Sequence, residues 1–434
     1  MNEFRIGVIG FGTVGAGVVE TIMKNASLMA RRFGIEPVIA RIADLDTKTD
    51  RGIKLPPGLL ISDAMQLIAD PEIDAVVELV GGTTIARKFV SEALKRGKPV
   101  VTANKALLAF CGKELFELAA ANHTEIYFEA SVGGGIPCIK ALREGLVANQ
   151  IVAMYGILNG TCNYILTRME NENADFESIL KAAQEAGYAE ANPSTDIDGY
   201  DTANKAAILA SLAYGKWFTL DDVTVRGIRE VTLTDIEYAS ELGYRIKLLA
   251  TIRKSNGKVQ LCVQPALVSK KSLLGGVSGV FNALWVDGDI VGSTMYYGRG
   301  AGRAATSSAV VADLMDLALN SLHHSQRRLP AFPVYDEDLS LATKDDILSR
   351  YYVRIEVANQ PGVLGRMAGI LGNHGISIAS VTQREPAGTG AKVPMLLLTE
   401  SASQSDIESA LNEIRQDPAT AEPPICFAIE DLPA

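Results

Sequence analysis

A short apolar run, Phe4–Ile9, passes directly into Gly10-Phe11-Gly12-Thr13-Val14-Gly15 and then into a stretch with helical spacing, and this junction constrains the fold more than any other feature. The three glycines have separate tasks. The first allows a tight turn, the second lets backbone approach a pyrophosphate, and the third permits close packing of helix on strand. Unpaired N–H groups at the start of such a helix hold phosphate. The same three glycines alone are a weak signal, but between a strand and a helix at the head of an alternating series they read as a dinucleotide loop.

The alternation continues through residue 130. Apolar runs Val38–Ala43, Ala75–Val80, Pro99–Thr102 and Ile126–Phe128 are separated by the helical patterns Val14–Arg31, Thr83–Arg96 and Lys105–Ala121. Continuous apolar strands alternating with helices give a parallel sheet buried on both faces, so the first domain is expected to be α/β, a Rossmann-type doubly wound sheet. Asp44 ends the second run, where an acid can accept hydrogen bonds from the adenosine ribose and favour NAD. Arg41 and Lys48 flank it, which leaves NAD and NADP both open.

At 434 residues the chain exceeds what one core supports, so further domains are expected. Residues 131–303 read as an α+β substrate-binding, catalytic and dimerisation domain. Helix-like residues 304–322 are expected to return to the first domain, 323–349 to form a linker, and 350–434 to fold as βαββαβ, a ferredoxin-like order. A net charge of −10 argues against a nucleic-acid or anionic-membrane partner, which would need clustered Lys and Arg. Five scattered cysteines without a C-x-x-C pair, no leader-like N-terminal segment and no apolar stretch of membrane-spanning length point to a cytoplasmic protein.

Removing a hydride from an alcohol carbon requires a base for the hydroxyl proton. None of the four histidines sits at a strand end of the first sheet, but two lysines are well placed. Lys105 follows the strand ending at Thr102, on the carboxyl edge where doubly wound proteins bind ligands. Lys205 is spaced i, i+4 from Asp201 on one helical face, downstream of Glu190 and Asp196. A solvated surface ion pair is the plain alternative for Asp201 and Lys205. A non-catalytic sensor of a dinucleotide and an amino acid is another reading of the whole chain. So is a semialdehyde oxidoreductase acting through a thioester, for which Cys138 is the nearest candidate nucleophile.

The Gly10–Gly15 loop, Thr102-Ala-Asn-Lys105, Glu129–Pro137, Gly156–Tyr164 and Gly187–Lys205, in this order, resemble the homoserine dehydrogenase family over roughly residues 1 to 325. The resemblance implies NAD(P)-dependent interconversion of L-homoserine and L-aspartate 4-semialdehyde, in the biosynthesis of threonine, methionine and isoleucine. It makes Lys205 the acid/base group and Lys105 a second lysine near the reacting hydroxyl and the nicotinamide. It gives substrate contacts to Gly160, Thr161, Glu190, Asp196 and Asp201, and cofactor contacts to Thr102, Gly187 and Gly302. It also implies a monovalent cation, usually sodium, on Glu129, Val132, Gly134 and Ile136. Many members carry a basic residue just before the acid that ends the second strand; Ala43 stands there in this chain. With so few residues ahead of Phe4, no attached kinase is expected.

The C-terminal residues resemble an ACT domain, carried by Asn359-Gln-Pro-Gly362-Val-Leu and Asn373-His-Gly-Ile376. That resemblance implies a homodimer or homotetramer and an amino-acid effector, with threonine the natural candidate. A domain that only assists assembly is the alternative, because allostery needs two states of different affinity.

Overall fold

The computed structural model describes residues 2–325, 332, 335–383 and 392–432, and the chain forms two compact units interleaved in sequence. The first comprises residues up to Gly160, Asp201–Val223 and Val280–Asp338; the second comprises Thr161–Tyr200, Thr224–Gly279 and Leu339 onward. This division cuts across the expected order of domains along the chain. Part of the expected linker, 326–331 and 333–334, lies outside the described residues.

In the first unit, strands β1 (Asn2–Ile9), β2 (Ile35–Ala43), β3 (Leu60–Ile61), β4 (Ala75–Glu78), β5 (Val100–Thr102) and β6 (Ile126–Tyr127) form a parallel sheet in the order β3-β2-β1-β4-β5-β6. That order reverses at β1, and the carboxyl edge beside the reversal is where such folds bind dinucleotides. Helices α1 (Thr13–Phe33), α2 (Ala64–Ala69), α3 (Thr84–Lys95) and α4 (Lys105–Ala121) connect the strands. The short β3 and α2 were not legible in the sequence, because two and six residues carry too little periodicity. Helix Arg303–Leu322 belongs to this unit: its Val310 and Leu314 share a core with Val18, Val19 and Val77. Strands Ile151–Ile157, Phe281–Gly288 and Gly292–Arg299 form an antiparallel set beyond the parallel sheet.

The second unit is built on a long hairpin, Tyr244–Ser255 paired with Lys258–Ser269. Strand Ile425–Glu430 adds in parallel to the second arm through Ala266–Val268, and also pairs with strand Leu348–Ala358. The ferredoxin-like module is therefore continuous with the hairpin sheet. Its strand order, last-first-third-second, and its helices Val363–Asn373 and Gln404–Gln416 match the βαββαβ expectation. Ser340–Leu341, within the expected linker, pairs with Lys258–Val259. No helix among the described residues is long and apolar enough to cross a membrane.

Candidate active site

The first and third glycines of the loop are held by steric need. Gly10 sits at φ +98°, and a Cβ there would lie 2.7 Å from the Leu79 carbonyl; a Cβ on Gly15 would lie 1.9 Å from the Gly10 oxygen. At Gly12 a Cβ would meet nothing within 4 Å, so the middle of the loop borders open space. Helix α1 starts at Thr13 with no side-chain cap and no acidic residue in its first turn, which leaves its N–H groups and positive dipole end available to an anion. Phe11 N–H donates to Asp44 Oδ2 at 2.5 Å and Asp46 N–H to Asp44 Oδ1 at 2.8 Å, so Asp44 braces the loop.

Beside this loop, Glu78 ends β4 fully buried. Its carboxylate accepts from the Thr102 hydroxyl at 2.7 Å and from Val80 N–H at 2.9 Å, and burial pushes its carboxyl upward against those bonds. Thr102 in turn accepts Asn104 N–H, and the Asn104 side chain caps α4 by accepting Leu107 N–H. Lys105 is thereby fixed as the first residue of α4. A cation at a helix N-terminus is disfavoured by the dipole, so this position needs a compensating anion.

Asp201 supplies that anion. Its Oδ1 lies 3.2 Å from Lys105 Nζ, and its Oδ2 accepts from Lys205 Nζ at 2.6 Å and from Asn159 Nδ2 at 2.9 Å. Lys205 Nζ also donates to the Leu158 carbonyl at 2.6 Å. The pair is no surface bridge: the side chains of Asp201 and Lys205 are 8% and 9% exposed, whereas Lys105 is 39% exposed. The helix Tyr200–Tyr214 is rich in alanine and buried on nearly every face, which is how a carboxylate and an ammonium come to be inside. Burial pushes the Asp201 carboxyl up, but the charges of Lys205 and Lys105 outweigh it and hold the group well below the usual carboxylate range.

Glu129 is buried, and its two oxygens accept Ile139 N–H at 2.9 Å and Lys140 N–H at 2.8 Å. Gly133 and Gly134 both have positive φ, and a Cβ on Gly134 would strike Gly300 O, so the turn is pressed on the residues before Gly302. The Ile136 carbonyl already accepts Cys138 N–H at 2.7 Å. Oxygen donors of this type suit a hard monovalent cation. Gly302, at φ +113°, precedes the return helix and borders open space. Gly160 is the first residue of helix Gly160–Glu172.

Four expected residues belong to the second unit. The Thr161 hydroxyl donates to the Tyr188 carbonyl at 2.9 Å, Gly187 takes φ +75°, Glu190 is exposed, and Asp196 lies in the short helix Ser194–Ile197. Sequence reasoning missed Asn159, Glu78 and the Leu158 carbonyl. Glu78 had a readable signal, an acid at the carboxyl end of a central strand; Asn159 and Leu158 act through tertiary contacts alone. Cys138 is fully buried and burial pushes its thiol up, so it lacks the thiolate character a thioester mechanism needs.

Residues 10–129 match the family model for the homoserine dehydrogenase NAD-binding domain, 137–315 that for homoserine dehydrogenase, and 351–419 that for the ACT domain. A homoserine dehydrogenase of Neisseria gonorrhoeae is 41% identical over 436 residues, with both chains covered completely. The crystal structure of a homoserine dehydrogenase from Thiobacillus denitrificans aligns with a TM-score of 0.93 at 40% identity, covering 99% of each chain. A hyperthermophilic archaeal homoserine dehydrogenase in complex with NADPH aligns with a TM-score of 0.62 at 28% identity, covering 73% of this chain and 98% of its own.

Proposed function

Because the chain belongs to the homoserine dehydrogenase family, and so interconverts L-homoserine and L-aspartate 4-semialdehyde with NAD(P), we propose that Lys205 moves the proton of that reaction. The observation that carries this reading is one buried carboxylate, Asp201, shared between two lysine ammonium groups. One negative charge compensates two positive ones, so loss of a single proton brings the group to neutrality. Lys205 has three N–H donors when charged. Two are committed to Leu158 O and Asp201, and the third is assigned to the substrate oxygen.

In the oxidative direction neutral Lys205 takes the hydroxyl proton of homoserine as the C–H bond on the same carbon breaks. A nicotinamide bound beside that carbon would supply the hydride acceptor. In the reductive direction the Lys205 ammonium returns the proton to the carbonyl oxygen. Lys105, more exposed, steadies the oxygen as its charge develops. The Gly10–Gly15 loop would hold the pyrophosphate at the α1 N-terminus, and Thr102, Gly187 and Gly302 would line the cofactor. Gly160, Thr161, Glu190 and Asp196 are assigned to the substrate, the carboxylates gripping its α-ammonium group. Sodium is assigned to Glu129 and the carbonyls of Val132, Gly134 and Ile136; replacing sodium by choline in the assay should then lower activity. Threonine is proposed as the effector of the ACT domain, in a cytoplasmic homodimer or homotetramer.

The direct test mixes purified protein with L-homoserine and NAD or NADP at alkaline pH and follows absorbance of the reduced cofactor, with and without threonine. Reduction with at least one cofactor is expected; silence with both contradicts the reading.

A further inference from the structure

We propose that Arg51 reads the 2′-phosphate of the cofactor's adenosine ribose and makes NADP the preferred hydride carrier; the inference rests on the dehydrogenase reading above and deepens it. The guanidinium of Arg51 lies over the ring of Phe11, 5.5 Å from its centroid, at the second position of the glycine loop. It is held there by Asp46 Oδ2 at 3.1 Å from Nη2 and by the Thr49 carbonyl at 2.7 Å from Nη1. Its side chain is only 15% exposed, although the loop around it is exposed. A long charged side chain is thus packed in one place instead of extending into water.

That place is where dinucleotide folds tell their two carriers apart. The acid ending the second strand meets the ribose hydroxyls, and an arginine nearby accommodates a 2′-phosphate. Here both are present, but their engagement differs. Asp44 has an N–H on each oxygen, from Phe11 and from Asp46, so its charge is turned to bracing the loop. Arg51 faces an exposed carboxylate, Asp46, which a phosphate can displace as partner. The planar guanidinium matches phosphate oxygens two at a time, and stacking on Phe11 fixes its plane in advance. Lys48 and Lys54, both exposed on the same loop, add positive charge around it.

The test measures calorimetric binding of adenosine 2′,5′-bisphosphate and of 5′-AMP to the full chain and to Arg51→Gln, Arg51→Lys and Asp46→Asn. Arg51→Gln should weaken the bisphosphate at least tenfold and 5′-AMP less than threefold. Arg51→Lys should fall between, and Asp46→Asn should bind the bisphosphate more tightly than wild type by freeing the guanidinium. The NADP-to-NAD ratio of kcat/KM should fall at least tenfold in Arg51→Gln. Equal weakening of both nucleotides would mean that Arg51 only shapes the loop, and no weakening would mean that it faces no phosphate; either overturns the proposal. A wild-type chain that binds the bisphosphate yet reduces neither dinucleotide would refute the dehydrogenase reading while leaving the phosphate site standing.

Discussion

Asp201 in the first unit and Asp235 in the second are both buried carboxylates held by cations, and the kind of cation separates them. Asp235 caps helix Leu233–Glu241 together with Thr232, and Arg354 meets it with Nε at 2.7 Å and Nη2 at 3.2 Å. The Tyr352 hydroxyl adds a third donor at 3.0 Å. Burial opposes the charge of Arg354, but Asp235 overcomes it and raises the guanidinium further. Arginine does not release a proton in proteins, so this cluster can only hold strands of the ACT module to a helix. Asp201 is met by two lysines, one of them partly open to solvent, and lysine does release protons when its surroundings allow. Similar burial thus yields a fastening in one place and, on the reading proposed above, a proton-transfer site in the other.

The contrast predicts which property each substitution damages. Asp201→Asn removes the charge that holds both lysines and should lower kcat by about 100- to 1,000-fold, within the range for loss of acid–base catalysis; steady-state assays with unchanged cofactor affinity would check it. Arg354→Ala leaves Asp235 buried and unpaired, which costs about 3–5 kcal/mol. Denaturant unfolding should show that loss, while turnover of the folded fraction stays near wild type. An Arg354→Ala enzyme of normal stability would erase the distinction. Lys105→Ala, at a site 39% exposed, should cost about tenfold in kcat/KM, or roughly 1.4 kcal/mol.

A third buried cation sharpens the comparison further. Lys247 has neutral acceptors, Asn163 Oδ1 at 3.1 Å and Val277 O at 2.6 Å, and burial pulls its ammonium down to about 8. The unfolded chain, with lysine near 10.4, binds more protons than the folded one between about pH 8 and 10, so stability rises with pH there. Lys247→Met should abolish this rise, which amounts to on the order of 2 kcal/mol. Parallel pH profiles for the two proteins would contradict it.

Much of this was legible in sequence because it is local. The glycine loop, the parallel strands through Thr102 and the βαββαβ order follow from periodicity and turn residues, and Asp201 and Lys205 share a helical face by spacing. Their burial did not follow, since it depends on which elements surround the helix Tyr200–Tyr214. The pairing of Lys105 with Asp201 spans 96 residues and has no signature in either segment. The same limit hid the continuity of strand Ile425–Glu430 with the hairpin at Ala266–Val268, which merges segments expected to fold apart.

The central claim is tested most directly by single-turnover hydride transfer in Lys205→Ala, followed by stopped flow at saturating homoserine and cofactor. A step slowed at least 100-fold, with cofactor dissociation constants within threefold of wild type, is the predicted result. Transfer within tenfold of wild type would show that another group carries the proton.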